Sequence, residues 1–358
     1  MSHSSTPGSA SIRDRWRRSL AALLIVPALL ATAACGDDDG AAAAGGKTSS
    51  GEEIPPGITI RVGEQAPTGE LSFELSGLGE DLPYEIEYVR FDSGPLTNEG
   101  FAAGEIDIGS MGDTPAIGAA ARDLPVKVLA TTTSDGPGSL LVARPGSGIK
   151  TLKDLEGKRV AFTTGTAQQG FTLRALDSVG LKQADVEQVD VPLQDLPSVL
   201  ESGDADASVI SYEAEVTYEQ AHPDAIRLTS ASELPGAGGF HLVADEALAD
   251  EGKKAAIYDY LERRLKAQEW INTHDEIWIE EFYVKERKQT PENAAKVIEG
   301  TGTTRFTPIS DDVTEAHQHL ADLLFEAGGL EAEVDISAIY DADATERFNE
   351  ILEEVPQS

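Results

Sequence analysis

The stretch "GEIDIGSMGDTPAIGAAARD", Gly104–Asp123, decides the fold. Ile106 and Ile108 alternate with their neighbours as in a strand, glycines follow at 109 and 112, and after Asp113-Thr114-Pro115 the chain turns into an alanine-rich helical run. Pro115 suits the first helical position, because its missing N–H has no intrahelical partner there, and Thr114 or Asp113 is the expected N-cap. A strand that ends in glycines and enters a helix is the repeating unit of an open α/β sheet. Its helix N-terminus offers free N–H groups at the carboxyl end of the strands, where ligands bind.

Working outward, the same alternation continues from Ile58. "ITIRVG" (58–63), "YEIEYVRF" (84–91), "VKVLATTT" (126–133), "SLLVA" (139–143), "RVAFTT" (159–164), "ASVIS" (207–211) and "FHLVA" (240–244) read as strands. "GFTLRALDSVGL" (170–181) and "AAIYDYLERRLKAQEWINTH" (255–274) read as amphipathic helices. The pattern predicts an α/β fold with mostly parallel sheets. "SLLVARPGSG" and "GAGGFHLVADE" join apolar runs to Gly or Pro and bracket a self-contained block, so one lobe is expected to interrupt another, with two crossover strands and a ligand cleft between the lobes. Lobe 1 is expected at 57–143 and 239–358, lobe 2 at 144–238.

Donor-rich loops recur at the strand ends. "VGEQAPTGE" supplies Gln65, "RFDSGP" supplies Ser93 and Gly94, and the opening stretch supplies Gly112, Asp113 and Thr114. Thr132 lies next to the end of "VKVLATTT", "FTTGTAQQG" adds Thr164, Gly165, Thr166 and Gln168, and "VISYEAE" adds Ser211 and Tyr212. These residues are expected to share one cleft and bind a ligand. Between strand end and helix the loops carry no Lys or Arg, so a monoanion held by neutral N–H and O–H donors fits better than a phosphate. No GxSxG, no P-loop and no GxGxxG after a strand is present, and the six histidines form no metal-binding spacing. The chain is expected to be no enzyme and to hold neither cofactor nor metal.

Acidic residues outnumber basic ones by 63 to 28, which disfavours nucleic acid as a partner. The N-terminus is different in kind. "RDRWRRSLAALLIVPALLATAAC" has a basic segment, a short apolar run from Leu20 and small residues before Cys35, as an export signal does, and 1–34 is read as that signal. Cys35 is the sole cysteine, which excludes an intramolecular disulfide. Residues 36–56 are mostly small, acidic or proline and are expected to form a flexible tether.

Cys35 after "TAA" resembles the lipobox of bacterial lipoproteins, which implies a diacylated cysteine and contact with the membrane through that anchor only. Three further features resemble the substrate-binding lipoproteins of ABC importers for sulfonates, taurine and nitrate. They are "SGP" followed by "AGEIDIG", then "GDTP", and then "LKDLEGKRVAF" ahead of a Thr/Gly loop, within residues 58–245. The resemblance implies a two-lobed, type II periplasmic-binding-protein fold, a monomer that captures a sulfonate-type anion and delivers it to an ABC permease and its ATPase. Nitrate, or a thiamine-precursor pyrimidine, is the alternative ligand. Enzymatic relatives such as a sulfinate desulfinase use a cysteine in the active site, and here the only cysteine lies in the signal region.

Overall fold

The computed structural model describes residues 45–48, 51–236 and 238–357. The export signal, Cys35 and the first part of the expected tether lie outside the described residues. The rest of the tether departs from expectation. Strands β1 (Gly46–Lys47) and β2 (Glu53–Ile54) pair antiparallel, and Ile54 is buried in the main core beside Ile60 and Ile257. Burial of Ile54 helps dock the segment.

Two larger sheets take up the alternation. The first contains β3 (Thr59–Glu64), β4 (Glu85–Arg90), β5 (Ile108–Gly112), β6 (Val126–Ser134), β12 (Gly239–Ala244) and β13 (Thr304–Thr307), in the order β13-β6-β12-β5-β3-β4. The second contains β7 (Ser139–Ala143), β8 (Arg159–Ala161), β9 (Glu187–Val189), β10 (Ala207–Ser211) and β11 (Ile226–Ser230), in the order β11-β7-β10-β8-β9. The two follow one plan. Strands β4-β3-β5 and β9-β8-β10 are parallel trios, and each continues through an antiparallel strand, β12 or β7.

The expected lobe boundary therefore shifts. β7, assigned to lobe 1 from the sequence, pairs with β10 and β11 in the second sheet, and the crossovers fall between β6 and β7 and between β11 and β12. "SLLVA" is apolar throughout because both faces of β7 are covered. Leu141 and Ala143 face a core with Phe162, Phe171 and Val209, whereas Leu140 and Val142 face Leu196, Leu200 and Ile210.

An arginine–aspartate clamp recurs in each lobe. Asp107 accepts from the Arg61 backbone N–H (2.8 Å), Nε (3.1 Å) and Nη2 (2.7 Å). Asp206 accepts from the same three groups of Arg159 at 3.2, 3.2 and 2.9 Å, with Nε and the backbone N–H on one oxygen. In both lobes a left-handed glycine, Gly104 or Gly203, precedes the aspartate by three positions and ends the preceding helix.

Nine-residue helices α1 (Thr68–Ser76), α2 (Gly94–Ala102) and α3 (Asp113–Ala121) follow the parallel strands of lobe 1. α3 starts two residues earlier than the sequence suggested. Gly112 is its N-cap, a residue with no side chain to cap the helix, and Pro115 is its third residue, while Asp113 pairs with Arg174. Lobe 2 carries α4 (Ala167–Asp177), α5 (Leu196–Ser202) and α6 (Tyr212–Ala221). After β12 come α7 (Asp245–Ala249), the long α8 (Glu251–Thr273), the single turn α9 (Asp275–Trp278), α10 (Pro291–Thr301), α11 (Asp311–Glu326) and α12 (Ala342–Glu354).

This C-terminal part does not belong to lobe 1 alone, as 239–358 was read. Leu320, Ala321 and Leu324 of α11 pack with Ile117 of α3 and Leu173 of α4, and α10 packs on α6. Among the described residues no helix is long and apolar enough to cross a membrane.

Candidate functional site

The carboxyl ends of β3, β5 and β6 and the first residues of β12 gather at one end of the first sheet and surround a cavity of about 370 Å³. Two sequence-predicted residues line it, Gln65 and Thr132. Gln65 Nε2 donates to the Ser110 carbonyl (3.2 Å), which ties the loop after β3 to the end of β5. Thr132 faces Gly239 across the β6–β12 ladder, and a Cβ at 239 would collide with its Oγ1. A glycine is needed there by contact.

Three cavity residues come from α8, which sequence reading treated only as an amphipathic helix. Tyr260, Arg264 and Gln268 are spaced four apart and share one face, turned inward toward β3 and β12. Arg264 is 8% exposed, and its Nη1 is buried without a hydrogen-bond partner among the described residues. The available signal was the stripe itself, since Tyr260, Arg264 and Gln268 continue the buried face to Ile271, but "LERRLK" reads as a solvated run. His241, also missed, stacks on Phe306 with centroids 5.3 Å apart. Removal from water, reinforced by Arg264, pushes its ring down to about 3, so it is neutral at physiological pH. Glu64 also lines the cavity and salt-bridges Arg90. Burial raises its carboxyl above the ordinary range, with Arg264 and Arg90 opposing that shift.

Most of the other predicted residues lie at a second place, where α2 and α3 of lobe 1 meet α4 of lobe 2, whereas Ser211 and Tyr212 stand apart at the start of α6. Gly94 abuts Pro115, and a Cβ at Gly112 would stand 2.5 Å from that of Ala167. Asp113 accepts from Thr114 N (2.6 Å) and Oγ1 (3.1 Å) through one oxygen, and from Arg174 Nη2 (2.7 Å) through the other. This buried pair links the lobes. The Asp113 carbonyl is met by His317 Nε2 (3.2 Å), and His317 stacks on Phe240. Burial holds that imidazole below its usual value.

Thr114 packs against Gly170, and Ser93 precedes α2 without capping it through its side chain. In lobe 2 the donors are largely engaged within their own loops. Thr164 bonds Asp190 through N (3.0 Å) and Oγ1 (2.9 Å), Gly165 N donates to Gln169, and Thr166 Oγ1 donates to the Thr163 carbonyl (2.8 Å). The Gln168 carbonyl accepts from Thr172 within α4. Ser211 caps α6 by accepting from Ala214 N (3.2 Å), and the Tyr212 hydroxyl packs against Gly300 of α10. The structure thus brings Gln65 and Thr132 into the cavity and places the others in helix-entry and interlobe contacts.

A larger groove, about 770 Å³, lies at the opposite ends of β6 and β12, with Lys127, Asp245, Asp341 and Arg347 among its residues. The smaller cavity is the better site, because it sits at the carboxyl ends of the parallel strands.

The sequence profile of the family described as ABC transporter, phosphonate, periplasmic substrate-binding protein matches residues 75–314. The putative aliphatic sulfonates-binding protein of Escherichia coli K12 is 27% identical over 252 residues, covering 70% of this chain and 78% of the relative. The protein of the same name in Bacillus subtilis 168 is 27% identical over 275 residues, 76% of this chain and 79% of its own. Among solved structures, the periplasmic aliphatic sulphonate binding protein from Escherichia coli superposes with a TM-score of 0.71 at 25% identity, over 79% of this chain and 92% of the other. The two sheets of one strand plan, the two crossovers and these similarities agree, and the chain belongs to the periplasmic substrate-binding proteins of ABC transporters, which bind and hand over a solute and are not enzymes.

Proposed function

We propose that the chain captures a small aliphatic sulfonate, taurine included, in the cavity at the end of the first sheet and delivers it to an ABC permease driven by its ATPase. The cavity carries this reading. Its volume of about 370 Å³ suits a small solute, and its rim offers Gln65, Ser110 and Thr132 as uncharged polar partners. The sulfonate-binding relatives support the same class. The proposed working form is an exported monomer held at the outer face of the membrane by a lipid on Cys35.

A thermal-shift and calorimetry series on the chain from Gly36 onward, which keeps Ile54 in its core position, tests the ligand class. Taurine and short alkanesulfonates are expected to raise the melting temperature by mass action. A second reading, an aromatic pyrimidine, is favoured by the rings of Phe240, His241 and Phe306 around the cavity. A shift with the pyrimidine alone overturns the sulfonate assignment, and a shift with nitrate alone replaces it by that anion.

A further inference from the structure

We propose that Arg264 anchors the charged head of the ligand and restricts it to a monoanion. This rests on the cavity being the ligand site. A buried guanidinium normally hydrogen-bonds a carboxylate or carbonyl, since an unmet charged donor in the interior is costly. Arg264 Nη1 has no such partner among the described residues, although the side chain is more than nine-tenths buried and lines the cavity.

The acid that lines the same cavity is committed elsewhere. Glu64 is salt-bridged by Arg90 and held by the backbone at Glu70, so it feels the field of Arg264 without a hydrogen bond between them. His241 is neutral and does not compete for an anion. Arg264 is the only Lys or Arg among the residues lining the cavity. Its planar donors match the oxygens of a sulfonate, and Gln268, one turn further along α8, lines the same wall.

Glu64 sets the charge limit. One negative charge beside Arg264 is neutralised, and a second would face the Glu64 carboxylate on the same cavity wall. A fully ionised phosphonate is therefore disfavoured relative to a sulfonate of the same shape.

The test uses the full-length chain and calorimetric titration with ethanesulfonate, nitrate, bicarbonate and ethylphosphonate at pH 8.5. Wild type is expected to bind ethanesulfonate at least tenfold more tightly than ethylphosphonate. R264Q is expected to lose about 100-fold in sulfonate affinity while keeping the far-ultraviolet circular dichroism spectrum. R264K, the second variant should R264Q fold poorly, keeps the charge but not the fork and is expected to lose about tenfold. Unchanged affinity in R264Q, or in R264K where R264Q does not fold, overturns the anchor. Equal or tighter phosphonate binding overturns the charge limit. If wild type binds no sulfonate but binds nitrate or bicarbonate in an Arg264-dependent way, the anchor stands and the sulfonate reading falls. Binding of none of these anions overturns both.

Discussion

The two lobes share a strand order and an arginine–aspartate clamp, yet they use their strand ends differently. In lobe 1 the ends of β3, β5 and β6 surround open space, and α8 projects a charged side chain into it. In lobe 2 the corresponding ends after β8 and β10 are occupied by their own hydrogen bonds, Thr164 to Asp190 and Ser211 to Ala214. The difference follows from the helix that only lobe 1 receives. A shared sheet plan allows a cavity at the strand ends, and the added helix lines the one in lobe 1.

The largest expected effect breaks the link between the lobes. Asp113→Ala leaves Arg174 buried without its carboxylate, and urea unfolding should show a loss of about 3–5 kcal/mol. If stability is unchanged, the lobes do not depend on this pair. The clamps come next. Asp107, which also takes Lys253 (2.9 Å), is more buried than Asp206, so Asp107→Ala should cost about 3 kcal/mol and Asp206→Ala about 1–2 kcal/mol. Equal costs would mean that the burial difference carries no weight.

Mild acid should act on two buried imidazoles. His241 and His317 titrate below the ordinary imidazole value when folded, so the unfolded chain takes up protons first. Their contribution is complete above about pH 6.5 and is lost as the pH falls toward the folded values, by up to about 1.4 kcal/mol per pH unit for each ring. His241→Gln should flatten the fall in chemical stability between about pH 6.5 and about pH 5, and an unaltered slope would place the acid sensitivity elsewhere. The smallest effect belongs to lobe 2. Ser211→Ala removes a cap and should cost about 1 kcal/mol in thermal unfolding with sulfonate affinity unchanged. A loss of affinity would show that the lobe 2 rim reaches the ligand.

What could be read from the sequence was local. "EIDIGSMGDTP" announces a strand and a helix entry because alternation, glycine and proline act over a few residues, and Gln65 and Thr132, which line the cavity, were singled out by their place at strand ends. β7 was placed in the wrong lobe because an apolar strand covered on both faces shows no alternation that could say which sheet it joins. Arg264 was missed because its neighbours in the cavity, Gln65 and Thr132, lie far away along the chain. Nothing in "LERRLK" distinguishes the buried arginine from the adjacent Arg263, which bonds Asp259 one turn back on the same helix.

The position of β12 between β5 and β6 also governs the order of assembly. All five strands of the second sheet come from one continuous stretch, Ser139 to Ser230, so that sheet needs only contacts between neighbouring parts of the chain. The first sheet lacks an inner strand until residue 244 has been supplied, and its edge strand β13 comes later still. Closing a sheet across so long an insertion is slow, because loop entropy is spent before the pairing rewards it. A chain emerging from its N-terminus would complete lobe 2 first and hold β3–β6 incomplete meanwhile, so the cavity at their ends is among the last features to form.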